Sequence, residues 1–348
     1  MPNVLRLGVL CLAGSTLAYI ALLLSLTLDS VQQNLVYLNR LTLGKSAAAK
    51  TPELAGFAVG QISPFFIDTN DGEHVHAWHI YPSYCAAGLP GRGQNSCKIS
   101  TDSKVVVYFH GNAGTMVTGH RPDTYRSLLS SGVSSVLAID YRGYGLSSGV
   151  PSEQGLIEDG TSAVKWFLNQ GVKPQNVAIV GQSLGAALAV AVAERLASNE
   201  QINVRLVMPI VGFSSMTELM NTYRIFKVFP VMGPLKRFPT LRKYLGQYIR
   251  HTWETAQRLE GLAKNHGTDI ALLTTKYDDE ISWTHTEMLF DAAVNASQLT
   301  KRRKAVDLGL EGSMESAGHV SKYILAYGGH NTIQKHSRIA IILTQSFR

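Results

Sequence analysis

Charge is scarce in this chain. Asp, Glu, Lys and Arg make up 16% of 348 residues, against about 25% in an ordinary soluble domain. A disordered, self-solvating chain is excluded by that composition. Cysteine is scarcer still: Cys11, Cys85 and Cys97 are the three present, too few for a disulfide-built scaffold. There is no Cys-x-x-Cys and no His-rich spacing, so neither a metal nor a metal-based cofactor is expected. Internal repeats and low-complexity tracts are absent, which excludes a solenoid or a propeller. Nucleic-acid-binding motifs are absent too. The formal net charge of +7 is concentrated in one region, and no nucleic-acid partner is expected.

One long apolar run is present. Leu7 to Leu28, "LGVLCLAGSTLAYIALLLSLTL", carries no charge and is bracketed by Arg6 and Asp29. As a helix it is about 33 Å long, close to a bilayer core, and longer than the roughly 7–15 residues of a signal-peptide core. An uncleaved anchor is expected, with residues 1–28 as tail and span, 29–55 as a mixed connector and 56–348 as the main domain. Arg6 lies on one side of the run and Arg40, Lys45 and Lys50 on the other, so charge bias does not decide orientation. Cys85 and Cys97 flank a glycine-rich loop and could pair in an oxidising lumen, or stay as thiols in the cytosol. Asn295-Ala296-Ser297 is a glycosylation sequon.

Beyond the connector, Gln61–Ile67 and Glu73–Tyr81 flank "TNDG", a hairpin signal. His74 and His76 share one face of the second run and read as ordinary strand surface. Strands then alternate with helices. Val105–Phe109, Ser135–Asp140, Val177–Val180, Arg205–Pro209, Ile270–Thr275 and, last, Lys304–Leu308 read as strands. Helices are expected at Pro122–Ser131, Glu153–Gln170, after Leu184 and at Thr332–Ser346. This alternation means a mostly parallel sheet built by right-handed crossovers. The stretch 213–264 breaks it, and is too long for a plain loop. An inserted cap is expected there. From Met216 to Thr252 seven Lys and Arg stand against one acid, Glu218. Tyr223 to Ile249 is expected to rest on a membrane surface, with Phe226, Phe229 and Phe238 entering the interface and Lys236, Arg237, Arg242 and Lys243 meeting anionic headgroups.

The chemistry is concentrated in "VGQSLGAALAVAVAE", Val180 to Glu194. A β-branched run enters Gly181-Gln182-Ser183-Leu184-Gly185, and an alanine-rich helix leaves it. A strand that turns abruptly into a helix strains the turning residue and needs small neighbours. Ser183 is therefore the candidate nucleophile, set where helix-terminal N–H groups favour an oxyanion. A serine needs a base. In this topology it falls late, just before the final helix, and Gly328-Gly329-His330 occupies that place; His319 and His336 compete less well. The orienting carboxylate leaves the strand before "DDE", where Asp278 or Asp279 could reach. A second oxyanion donor is expected from His110-Gly111-Asn112-Ala113-Gly114, with the Asn112 amide beside that of Leu184. His110, and Asp140 to Gly145, read as loop architecture.

With these residues together, "FHGNAGT", "IDYRGYGLSSGVPSEQGLIEDG", "GQSLG", "DDEISW" and "GGHN" resemble the α/β-hydrolase superfamily. Within it they resemble the membrane-anchored group that contains abhydrolase domain-containing protein twelve. The resemblance runs from about Phe57 to the C-terminus. It implies an α/β fold with an eight-stranded, mostly parallel sheet, a helical cap and an N-terminal transmembrane helix. It also implies a cofactor-free serine hydrolase acting on monoacylglycerols or lysophospholipids such as lysophosphatidylserine. The catalytic domain would be lumenal, in the endoplasmic reticulum or another endomembrane. Carried onto this chain, the motifs make Ser183 the nucleophile, His330 the base and Asp279 the acid. The family pattern Asp-x-x-Val-Pro is read here as Asp279-Glu280-Ile281-Ser282-Trp283, without its Val-Pro. The alternatives are a protein-depalmitoylating thioesterase, whose relatives carry cysteine-rich N-termini, and a non-catalytic membrane protein of this fold acting in cell shape.

Overall fold

The uncharged, β-branched runs of the chain become a sheet buried on both faces. The structure, a computed structural model, describes residues 2–41, 46–86, 97–222, 224–225, 229–230, 234–298 and 302–348. Its helices begin with α1 (Pro2–Ser25), α2 (Asp29–Tyr37) and α3 (Ser46–Lys50), followed by the hairpin β1 (Ile62–Asp68) and β2 (His74–Ile80). The alternating part runs β3 (Val105–Phe109), α4 (Arg121–Leu129), β4 (Ser135–Ile139), α5 (Glu153–Asn169), β5 (Val177–Gln182), α6 (Leu184–Glu200) and β6 (Leu206–Ile210). The insertion holds α7 (Met216–Thr222), the short ribbon β7 (Arg224–Ile225) and β8 (Phe229–Pro230), and α8 (Pro239–Gly246). Then come α9 (Thr255–Lys264), β9 (Asp269–Thr275), α10 (Thr284–Ala296), β10 (Arg302–Asp307), β11 (Gly312–Ala317), β12 (Val320–Leu325) and α11 (Ser337–Ser346).

Among the described residues the main sheet has the order β1-β2-β4-β3-β5-β6-β9-β12-β11-β10. From β4 to β12 every neighbouring pair is parallel. The pairs at both edges are antiparallel. Alternation along β3 divides the core. Val105, Val107 and Phe109 face the cluster under α5, α6, α9 and α10, while Val106 and Tyr108 face the one under α4 and α11. Such runs, apolar on both faces, are what a helix-covered parallel strand requires.

Several expectations change. The sheet has ten strands rather than eight, because β10 and β11 add an edge hairpin. The last parallel strand is β12, not the Lys304–Leu308 run, which lies in and beside the outermost strand. β12 hides a charge: Lys322 is buried between Glu287 (2.5 Å) and Glu315 (2.9 Å), over the ring of Phe290. The connector 29–55 carries α2, which ends in Tyr37, wholly buried in the core.

α1 ends at Ser25, so its apolar span is Val4–Ser25 rather than Leu7–Leu28. It is almost uncovered by the rest of the chain. Among the described residues its C-terminal end docks, where Leu23 packs with Leu235 and Leu245 of the insertion. The insertion is also narrower than 213–264, because α9 lies against the sheet-covering core through Leu259, Leu262 and Ala263. His76 is buried rather than surface, because Phe66 packs on its ring and the buried Asp140 lies 4.0 Å from its Nδ1; His74 is exposed and pairs with Asp68 at 2.6 Å.

Candidate active site

The C-terminal ends of β3, β5, β9 and β12 lead into four loops that meet at one edge of the parallel sheet, the crevice where open α/β sheets bind ligands. β5 delivers Ser183. Its backbone stands at φ 55°, ψ −116°, a strained conformation for a residue with a side chain. The flanking glycines are sterically forced. A Cβ on Gly181 would overlap the carbonyl oxygen of Gly185, and one on Gly185 would overlap the carbonyls of Phe109 and His110. The Ser183 N–H is held by the Ile210 carbonyl at 3.0 Å. Leu184 opens α6, so its own N–H has no acceptor within the helix.

The turn after β9 delivers the candidate acid. Asp278, not Asp279, reaches the histidine: His330 Nδ1 donates to Asp278 Oδ2 at 2.8 Å. The Asp278 side chain is fully shielded from solvent. Its other oxygen accepts the N–H groups of Glu280 (2.9 Å) and Ile281 (2.8 Å), which lock the carboxylate in the turn. Asp279 is exposed. A one-residue step along a tight turn reverses which side chain points inward. Counted from Asp278, the family pattern also fits better, since Ile281 takes the β-branched place of its valine.

The loop after β12 delivers His330, which is buried. Burial alone would push its imidazole pKa down. The hydrogen bond and charge of Asp278 outweigh burial, helped by the charges of Glu280 and Asp279, and hold it above the ordinary 6.5. The Nδ1 proton is committed to Asp278, so neutral His330 presents Nε2 as the basic atom. That atom lies 3.7 Å from Glu280 Oε2. The rival histidines are elsewhere: His336 caps α11 and stacks on Tyr327, and His319 packs against His266.

Two further polar residues organise the site. Gln182 donates from Nε2 to the His330 carbonyl at 2.8 Å and accepts from His120 Nε2 at 2.9 Å, tying the elbow to the histidine loop. Burial pushes the His120 pKa down to about 4, so it is neutral at pH 7. Arg121 is buried with its guanidinium aimed at loop carbonyls: Gly111 (3.0 Å), Asn112 (3.1 Å), Ala113 (2.8 Å) and Thr115 (2.5 Å). A loop gripped by its carbonyls has its N–H groups turned elsewhere. The amides of Ala113 and Gly114 go to Tyr37 and Leu41. That of Asn112 has no partner in the backbone hydrogen bonds of the described residues. A Cβ on Gly111 would lie 3.5 Å from that of Ser183, so the loop passes directly beside the candidate nucleophile. His110 and Asp140 are packing residues, as expected. Both are buried, with Tyr141 on the His110 carbonyl (2.6 Å) and Asp140 on the Met116 N–H (2.5 Å). Among the described residues no cluster of three His, Cys, Asp or Glu could hold a metal.

Residues 106–261 match the family model described as alpha/beta hydrolase fold. The curated lysophosphatidylserine lipase ABHD12 of Danio rerio is 32% identical over 169 residues, 48% of this chain and 43% of that protein. The ABHD12 of Rattus norvegicus is 31% identical over 199 residues, 56% of this chain and 48% of that protein. Protein ABHD12B of Homo sapiens is 31% identical over 160 residues, 44% and 42% of the two chains. The chain spans about half the length of the curated relatives it matches. Among solved structures, an alpha-beta hydrolase from Vibrio vulnificus superposes with a TM-score of 0.61 at 18% identity, covering 90% of this chain and 91% of that one. The esterase Pf2001 of Pyrococcus furiosus gives 0.54 at 16%, covering 85% and 96%. The chain therefore has the fold of the alpha/beta hydrolases and is similar in sequence, over about half its length, to the ABHD12 lysophosphatidylserine lipases.

Proposed function

We propose that the chain is a membrane-anchored serine hydrolase that cleaves carboxylic esters of lipids, a monoacylglycerol or a lysophospholipid. The observation that carries this reading is the 2.8 Å bond from His330 to the buried Asp278, in a loop that Gln182, the residue before a strained serine at the end of β5, holds by the His330 carbonyl at 2.8 Å. Ser183 Oγ attacks the ester carbonyl, and His330 Nε2 takes its proton. Asp278 holds the tautomer and stabilises the imidazolium. The amides of Asn112 and Leu184 donate to the oxyanion. His330 then returns the proton to the departing alcohol. The acyl group remains on Ser183 until water, activated by the same imidazole, releases the fatty acid.

Three features support the membrane setting. α1 is long and apolar enough to cross a bilayer. Cys85 and Cys97 are joined in a disulfide, which suits an oxidising lumen, and Asn295 of the sequon is exposed. The insertion carries exposed Phe238, Leu241, Tyr244 and Tyr248 among Arg237, Arg242 and Lys243, the composition of a surface that meets a lipid interface. Phe226 of the expected interfacial set lies outside the described residues, as do the side chains of Phe229 and Lys236.

The test is hydrolysis by the purified full-length protein of lysophosphatidylserine, a monoacylglycerol and an acyl-thioester, each compared with Ser183→Ala. The reading predicts cleavage of at least one oxygen ester and none by Ser183→Ala. Cleavage confined to the thioester would make it a thioesterase, and undiminished cleavage by the variant would remove Ser183 from the mechanism.

A further inference from the structure

The segment that leaves the membrane helix is built into the walls of the site. Gln32 of α2 bridges the anchor to the base of the insertion. Its side-chain amide donates to the carbonyls of Leu26 (2.8 Å) and Tyr248 (2.7 Å), and its oxygen accepts the Arg250 N–H (2.9 Å). Five residues on, Tyr37 meets His251 Nδ1 through its hydroxyl at 3.2 Å. Its carbonyl accepts two donors at once, the Ala113 N–H at 3.0 Å and the Tyr144 hydroxyl at 2.5 Å. The Leu41 carbonyl takes the Gly114 N–H at 3.2 Å, and Asn39 donates to the Gly143 carbonyl at 2.8 Å.

Ala113 and Gly114 are the turning residues of the loop expected to hold the oxyanion. Their φ values are 57° and 62°, two left-handed residues in succession. For Ala113 that conformation costs steric energy that must be offset locally. The offset comes from outside the loop: α2 and the residues after it accept both N–H groups, while Arg121 holds the carbonyls from behind. With those two amides engaged, Asn112 supplies the loop donor for substrate.

We propose that α2 is a positioning element of the active site: the Tyr37 and Leu41 carbonyls hold the oxyanion loop in its left-handed turn, so the chain leaving the membrane sets the placement of the Asn112 amide. This rests on the hydrolase reading above and adds to it that anchor and catalytic loop are mechanically one unit. The consequence is kinetic. Loosening the latch misplaces a donor that acts on the transition state more than on bound ester, so kcat falls while KM holds.

The test uses the full-length protein and a soluble short-chain ester. Tyr144→Phe removes one donor from the Tyr37 carbonyl and leaves the ring packing in place; Asn39→Ala loosens the other end of the latch. Tyr144→Phe should lower kcat about tenfold with KM within about twofold, the scale of a sub-ångström misplacement, and Asn39→Ala should shift kcat in the same direction by less. Affinity for a trifluoromethyl ketone, which forms the oxyanion on Ser183, should fall by the same factor as kcat/KM, while affinity for the fatty-acid product stays constant. Unchanged kcat and ketone affinity in both variants would overturn the proposal, as would a parallel loss of ketone and product binding, which marks general unfolding. Ser183→Ala separates the two readings. If it is inert while both latch variants behave as wild type, only the latch fails; if it retains activity, the hydrolase reading fails first.

Discussion

The floor of the site and the insertion above it are built on opposite terms. At the floor, residues 105–111 and 181–185 are packed so closely that a single methyl on Gly181 or Gly185 meets backbone oxygen. The insertion, from α7 to α8, consists of short elements, and its aromatic residues Phe238, Tyr244 and Tyr248 stand in solvent. One region is closed by backbone contacts on its glycines, and the other presents exposed side chains. In the function proposed above, the chemistry falls to the strand ends, and selection of the lipid would fall to the insertion and the surface it presents. The two communicate through α2, which touches both.

Two perturbations separate the regions. The larger concerns the floor. His330 acts as base only when neutral, and its pKa stands above the ordinary value because nearby carboxylates outweigh burial. Activity should rise with pH through that raised pKa and fall away below it. Glu280→Gln removes one of the charges that raise it, so the acidic limb of kcat/KM should move to lower pH, on soluble and vesicle-borne substrates alike. A limb that stays in place would take Glu280 out of the electrostatics of the base.

The smaller perturbation concerns the insertion. Replacing Arg237, Arg242 and Lys243 with glutamine should reduce activity on lysolipid in anionic vesicles by a few-fold, from about 1 kcal/mol per charge near the surface partly compensated by the anchor. Turnover of a soluble ester should be spared, and added salt should erase the difference between variant and wild type. Equal loss on both substrates would show that the basic residues support the fold rather than meet lipid.

The floor was also the more legible region. Gly-x-Ser-x-Gly between a β-branched strand and an alanine-rich helix is a local rule, and Ser183 and the paired glycines before His330 could be read directly. Adjacent acids are a different problem: Asp278 and Asp279 differ by one position in a turn whose direction is set by backbone N–H groups of Glu280 and Ile281. The edge strands were missed because β11 is polar and β12 carries a buried lysine whose partners, Glu287 and Glu315, lie on other elements. Arg121 and α2 leave no motif at all, and Gln182 fills a variable place in the Gly-x-Ser-x-Gly pattern. They work on main-chain groups, Gln182 through the His330 carbonyl and the other two through the oxyanion loop, and any sequence with the right backbone would show the same blank.

If Ser183, His330 and Asp278 act as one unit, the two neighbouring aspartates must differ sharply in what their loss costs. Steady-state kcat for ester hydrolysis should be measured for Asp278→Asn and Asp279→Asn in the full-length protein, beside folded-state controls. The account predicts that Asp278→Asn lowers kcat by roughly 10⁴-fold, through the wrong histidine tautomer, while Asp279→Asn stays within a few-fold of wild type. Near-normal turnover by Asp278→Asn, with the large loss falling on Asp279→Asn, would contradict it.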